Sequence, residues 1–159
     1  MIHYLKGDAT QPTAKGVKII SHICNDKGAW GAGFVLALSK RWLQPELSYR
    51  RIRQVDRQLG IVQLVNVQTN EDGCITYVAN MIAQHGVRPM IVDNVQVPPI
   101  RYDALATCLR KLDDDAVQYE ATVHMPRIGC GLAGGDWLTV EKLINECCPN
   151  VDVYVYDLV

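Results

Sequence analysis

Seven of the chain's twelve glycines fall in two short stretches: "GAWGAG" at Gly28, Gly31 and Gly33, and "GCGLAGG" at Gly129, Gly131, Gly134 and Gly135. Each lies between a strand-like run and a helix-like run. A helix start carries unpaired N–H groups and a partial positive charge, and glycine lets an anion reach that backbone with no Cβ in the way. Two such loops could grip a diphosphate from both sides. The plainer reading is that the glycines only permit tight strand-to-helix turns, with Asp136 as the N-cap of the last helix.

Three side chains beside the first loop have the chemistry for a reaction. A free histidine titrates near neutrality, so His22 could act as general acid or base, although a core histidine is equally compatible with its position. Asn25 can orient a ligand or a water. Asp26 could order a water, though an aspartate there is more often a turn residue. Cys130 sits where a helix start could stabilise a thiolate. Lys27 reads as a solvated loop charge.

Known phosphate motifs can be tested by spacing. A Walker loop needs Gly-Lys-Ser/Thr after its glycines, and neither loop has it. A cysteine-phosphatase loop needs arginine six residues after the cysteine, where Cys130 is followed by Asp136 and Cys24 by Trp30. "GCGLAG" does match Gly-x-Gly-x-x-Gly, and Asp157 ends the next strand about where a dinucleotide fold places its ribose carboxylate. That rival stands, although the fingerprint belongs to a first βαβ unit and only two residues follow Asp157.

The elements that must position these residues are legible as runs. Strand-like segments occur at Ile2–Leu5, Val17–Ile23, Ile61–Val67, Ile75–Met81, Ala121–Met125 and Val151–Tyr156, rich in β-branched and aromatic residues. Between them, Tyr102, Leu105, Leu109 and Leu112 recur at three and four, as do Val140, Leu143, Ile144 and Cys147, giving helical stripes. Phe34–Trp42 reads as a buried helix. Pro45–Leu59 reads as a second helix, with Ile52, Val55 and Leu59 inward and Arg50, Arg51, Arg53 and Arg57 as a solvated basic face. Asp113, Asp114 and Asp115 read as a loop after a helix, and Gly86–Pro99, with three prolines and no period, as a long loop. Strands alternating with helices predict an α/β chain, a three-layer α/β/α sandwich on a mixed, largely parallel sheet of about six strands.

With 159 residues, 48% apolar and 21% charged, the chain is the size of one globular domain, spanning residues 1–159. Six cysteines without framework spacing and no basic-then-apolar leader predict a reduced, cytoplasmic protein. Apolar runs are too short for a membrane span. Four histidines without ligand spacing and no Cys-x-x-Cys predict no metal, and a net charge of −1 offers no field for nucleic acid.

"GDAT" after the first strand, "SHICNDKGAWGAGFVLALSKRW" through the first loop and "MPRIGCGLAGGDW" before the last helix resemble a macrodomain, the ADP-ribose-binding α/β/α module, over nearly the whole chain. Met125-Pro126 and the spacing from His22 to Gly33 resemble more closely the yeast-type ADP-ribose 1″-phosphate phosphatase branch. The resemblance implies ADP-ribose, or ADP-ribosylated macromolecules, as partner, and no cofactor. Asp8, with Ala9 beside it, would meet the adenine amino group. Gly129, Cys130, Gly131, Leu132, Ala133 and Gly134 would offer amides to the diphosphate, and Gly31, Ala32 and Gly33 would face them. Asn25 would meet the distal ribose, with Trp30 walling it from solvent. Where the glutamate-deprotecting members of the class use a lysine and an aspartate, this sequence has Gln84 and Ala133. A lysyl intermediate is therefore not expected, and His22 is the acid/base candidate. A non-catalytic reader of ADP-ribose is the competing expectation.

Overall fold

A computed structural model describes all residues, Met1–Val159. Its centre is a six-stranded sheet built from β1 (Ile2–Lys6), β2 (Lys18–Asn25), β3 (Val62–Thr69), β4 (Ile75–Gln84), β7 (Thr122–Met125) and β8 (Val153–Asp157), in the order β1-β8-β7-β2-β4-β3. Every neighbouring pair is parallel except β3 with β4, so the sheet is mixed and largely parallel. All six predicted strands are present. β2 is buried along almost its whole length, as a parallel strand covered on both faces must be.

Alternation along each strand divides the core into two layers. Ile19, Met81, Val123 and Val155 face α3 (Tyr102–Tyr119) and α4 (Trp137–Cys147), meeting Leu105, Leu109, Leu112, Val140 and Ile144. Ile20, Val65, Val78 and Ile82 face the other way, onto α1 (Phe34–Arg41) and α2 (Gln44–Arg50), where Val35, Leu38 and Tyr49 close the layer. Both helical stripes read from the sequence are thus core seams.

Three expectations are corrected. The helix expected over Pro45–Leu59 stops at Arg50, and only a 3-10 turn at Gln54–Asp56 follows. The chain turns there because Arg57 is not on a solvated face: it is buried, with Nη2 donating to the Ile52 carbonyl at 2.6 Å and Nη1 to Gln54 Oε1 at 2.8 Å. Asp113, Asp114 and Asp115 lie inside α3, which runs about two turns beyond Leu112, to Tyr119, and buries Ala116. Asp113 there accepts from the Asn150 backbone and side-chain amides, and Asp115 pairs with Lys111. Finally, Gly86–Pro99 contains a hairpin, β5 (Met90–Val92) against β6 (Val95–Val97). Asp93 and Asn94 turn it with positive φ at both positions, the backbone that suits the twist of a two-residue hairpin and that Asx residues tolerate.

Because β2 and β7 are parallel neighbours, their C-terminal ends meet at one edge of the sheet, and the two glycine loops leave it side by side.

Candidate functional site

Between those loops lies a cleft of about 540 Å³, within the ~300–1,000 Å³ usual for small-molecule sites. Of the predicted ligand residues, Asn25, Gly31, Ala32, Gly33, Gly129, Gly131, Leu132 and Ala133 line it together. The loops face one another: a Cβ placed at Gly33 would stand 3.6 Å from Cδ1 of Leu132. Neither the N–H groups of Gly31, Ala32 and Gly33 nor those of Gly131, Leu132 and Ala133 donate to any group of the protein. α1 starts at Gly33 without a capping side chain and with no acidic residue in its first turn. The cleft is therefore walled by unpaired main-chain donors and a bare helix start, an arrangement suited to phosphate oxygens.

The first loop is held from behind by side chains, the second by its own backbone. Asn25 Oδ1 accepts from the Lys27 and Ala29 amides at 2.9 and 3.1 Å, and its Nδ2 donates to the Ala29 carbonyl. The Tyr49 hydroxyl donates to the Asn25 carbonyl and accepts from the Gly28 amide. Gly28 has φ of 85°, and a Cβ there would be 2.7 Å from the buried Arg57 guanidinium, so only glycine suits the position. Asn25 thus shapes the loop as well as lining the cleft. In the second loop, the Gly135 amide donates to the Gly129 carbonyl at 2.6 Å, and a Cβ at Gly135 would sit 2.5 Å from that oxygen. Gly131, in contrast, has open space where a side chain would go. Asp136 caps α4 through Thr139, as the simpler reading of that residue held.

Asp8, Ala9, Asp26, Trp30, Cys130 and Gly134 do not line the cleft. Asp8 spends Oδ1 on Thr10 and leaves Oδ2 unengaged beyond the end of β1. Trp30 is corrected from wall to core: it is 3% exposed, packs between His22 and Tyr49, and donates its Nε1–H to Ser39. Asp26 has a structural task outside the cleft: it ties the first loop to the segment after β4, accepting from the His85 ring at 2.6 Å and the Gly86 amide at 2.8 Å. Burial pushes that carboxyl up, and those two donors, with Lys27 nearby, more than reverse it and leave it below its ordinary value.

His22 also departs from expectation. It reaches the floor of the cleft but is 2% exposed, its ring set edge-on beneath Trp30. A chain of amides fixes its tautomer. Gln63 donates to the Ser48 carbonyl, so its Oε1 accepts from Asn80 Nδ2, which also donates to the Pro45 carbonyl. Asn80 Oδ1 must then accept from His22 Nε2 at 2.5 Å. The remaining lone pair, on Nδ1, is buried without a partner. Burial holds the ring's pKa down at about 4, against a smaller opposing effect of Asn80. His22 is therefore a neutral core imidazole at physiological pH, not a general acid.

Burial likewise pushes the thiols of Cys24 and Cys130 up, so neither supplies a ready nucleophile. Gln84 and Ala133 line the cleft as the resemblance implied, and the lining contains no lysine and no carboxylate. Its one charged side chain, Arg127, escaped the sequence reading; the available signal was a lone basic residue directly before the second glycine loop. Asp157 spends both carboxylate oxygens on Arg127, at 2.6 and 2.9 Å, so it is not free to take a dinucleotide ribose.

No protein-family model matches the chain. Among solved structures, a macrodomain protein from Streptomyces coelicolor is 47% identical, with a TM-score of 0.80 and 99% of each chain covered. The mouse chromodomain-helicase-DNA-binding protein 1-like is 31% identical over 98% of this chain, which spans only 17% of that relative's length. The ADP-ribose 1″-phosphate phosphatase of Candida glabrata is 25% identical, covering 99% of this chain and 98% of its own. The extent of the likeness to the Streptomyces protein, together with a sheet order and glycine-loop cleft of the expected kind, leads to one conclusion: this chain belongs to the macrodomain family.

Proposed function

We propose that the cleft binds ADP-ribose and hydrolyses a derivative at the distal ribose, with ADP-ribose 1″-phosphate the leading substrate. The observation that carries the binding half is the two facing rows of unpaired amides, matched to a diphosphate that a chain of net charge −1 cannot attract by its overall field. The phosphatase name of the yeast relatives supports the catalytic half. The lining has no lysine and no carboxylate, and its thiol is held protonated. The chemistry it favours is therefore delivery of water to a phosphoryl group whose developing charge the amides stabilise, with no covalent intermediate on the protein.

The same lining favours a second reading, a non-catalytic reader, because no side chain in the cleft is free to move a proton at neutral pH. Phosphate release from ADP-ribose 1″-phosphate separates the two. Turnover supports the hydrolase, and tight ADP-ribose binding in calorimetry without turnover of any ADP-ribosyl substrate supports the reader. A protein that binds no ADP-ribose refutes both.

A further inference from the structure

Arg127 is the only fully charged residue among those lining the cleft, yet it carries little net charge there. Its Nε and Nη2 form a fork with the two oxygens of Asp157. The guanidinium carbon lies 5.3 Å from the Tyr4 ring centre and 5.1 Å from that of Trp137. Those rings meet edge-on and are joined by the Trp137 Nε1–H donating to the Tyr4 hydroxyl at 3.2 Å; the same hydroxyl bonds Glu141. The plane is thus fixed along one edge by a carboxylate and backed by aromatics. The side chain remains 40% exposed, and Nη1 has no partner. Because the residue lines the cleft, part of its uncovered surface is turned toward a ligand there. The Asp157 carbonyl accepts from the Gly7 amide at 2.8 Å, which places this pair beside Asp8.

A neutralised, rigid, weakly hydrated plane is a poor phosphate clamp, since the carboxylate repels what the guanidinium attracts. It is a good surface for stacking a flat heterocycle. We propose that the Arg127–Asp157 pair is the platform on which the purine stacks, making Arg127 a residue that determines specificity for the base. This rests on the ADP-ribose reading of the cleft.

The test compares Arg127→Ala and Arg127→Lys with the parent, titrating ADP-ribose and ribose 5-diphosphate, which keeps ribose and diphosphate but lacks adenosine. Removing a stacking partner costs ~1–3 kcal/mol per base, so both variants should bind ADP-ribose about fivefold or more weakly. The loss should be the same at low and high salt, and ribose 5-diphosphate should bind parent and variants alike. Full retention of affinity in Arg127→Lys, a loss that shrinks as salt rises, or an equal loss for ribose 5-diphosphate would each identify a phosphate-directed cation and overturn the proposal. Unchanged thermal unfolding of the Lys variant separates the effect from misfolding. A parent protein that binds no ADP-ribose refutes the cleft reading, whereas a parent that binds it while both variants bind equally well refutes the platform alone.

Discussion

Two imidazoles sealed in the fold make its stability sensitive to mild acid. His22 and His124 are both buried, and in each burial lowers the pKa from its ordinary 6.5 to about 4, with Lys18 adding to the effect at His124. As pH falls below 6.5, the unfolded chain takes up both protons while the native state refuses them until about pH 4. In that window the unfolded state binds more protons, so stability drops with falling pH; above the window both states are neutral and the slope vanishes. At about 1.4 kcal/mol per pH unit, each ring is worth ~3 kcal/mol, and the pair is a large part of the ~5–15 kcal/mol that holds a domain of this size. The Asp26 carboxyl, held below its ordinary 3.8, adds its own loss only at lower pH. Urea unfolding followed by tryptophan fluorescence, at half-unit steps from pH 7.5 to 4.5, should show stability flat to about 6.5 and then falling steeply. His22→Gln and His124→Gln should each flatten that fall by close to one proton, whatever they cost at neutral pH. Parent stability constant to within about 1 kcal/mol down to pH 4.5, or a slope untouched in both variants, would refute the assignment of these rings as neutral.

The glycines should separate binding from folding. Gly131→Glu has room in the fold but sets a carboxylate where the proposed diphosphate would lie, so ADP-ribose affinity should collapse in calorimetry while the melting temperature holds. Gly135→Ala drives a methyl onto the Gly129 carbonyl and should lower the melting temperature itself. Asp8→Ala should weaken ADP-ribose binding by ~1–3 kcal/mol through a lost charged hydrogen bond; an unchanged affinity would remove Asp8 from the base site. If the protein releases phosphate from ADP-ribose 1″-phosphate, its pH–rate profile should show no inflection between pH 5.5 and 8 that His22→Gln abolishes. Such an inflection would restore the histidine as acid or base.

Much of this architecture is written locally. The six strands are legible because β-branched runs such as "VKIISHI" are buried on both faces and need no distant partner to betray them. The glycine loops are legible because their backbone demands few side chains, and Asp136 because capping is a contact over three residues. What escaped depends on contacts remote in sequence. Arg57 looks like part of a basic helix face until Tyr49 and the first loop are folded against it. His22 looks available until Trp30 covers it and Asn80, 58 residues away, fixes its proton. Arg127 is paired across 30 residues with Asp157, a carboxylate that local spacing had suggested for a ribose. The β5–β6 hairpin escaped because its prolines mask two three-residue strands turned on Asp93 and Asn94.

The donors facing the cleft belong to peptide bonds, so ordinary mutagenesis cannot delete them. An alanine scan across Cys130, Leu132 and their neighbours would trim side chains while leaving every donor in place, and would report an insensitive surface over the very atoms on which the proposed binding depends. Replacing single amides by esters, which exchanges an N–H for an oxygen at nearly constant shape, would expose them one at a time.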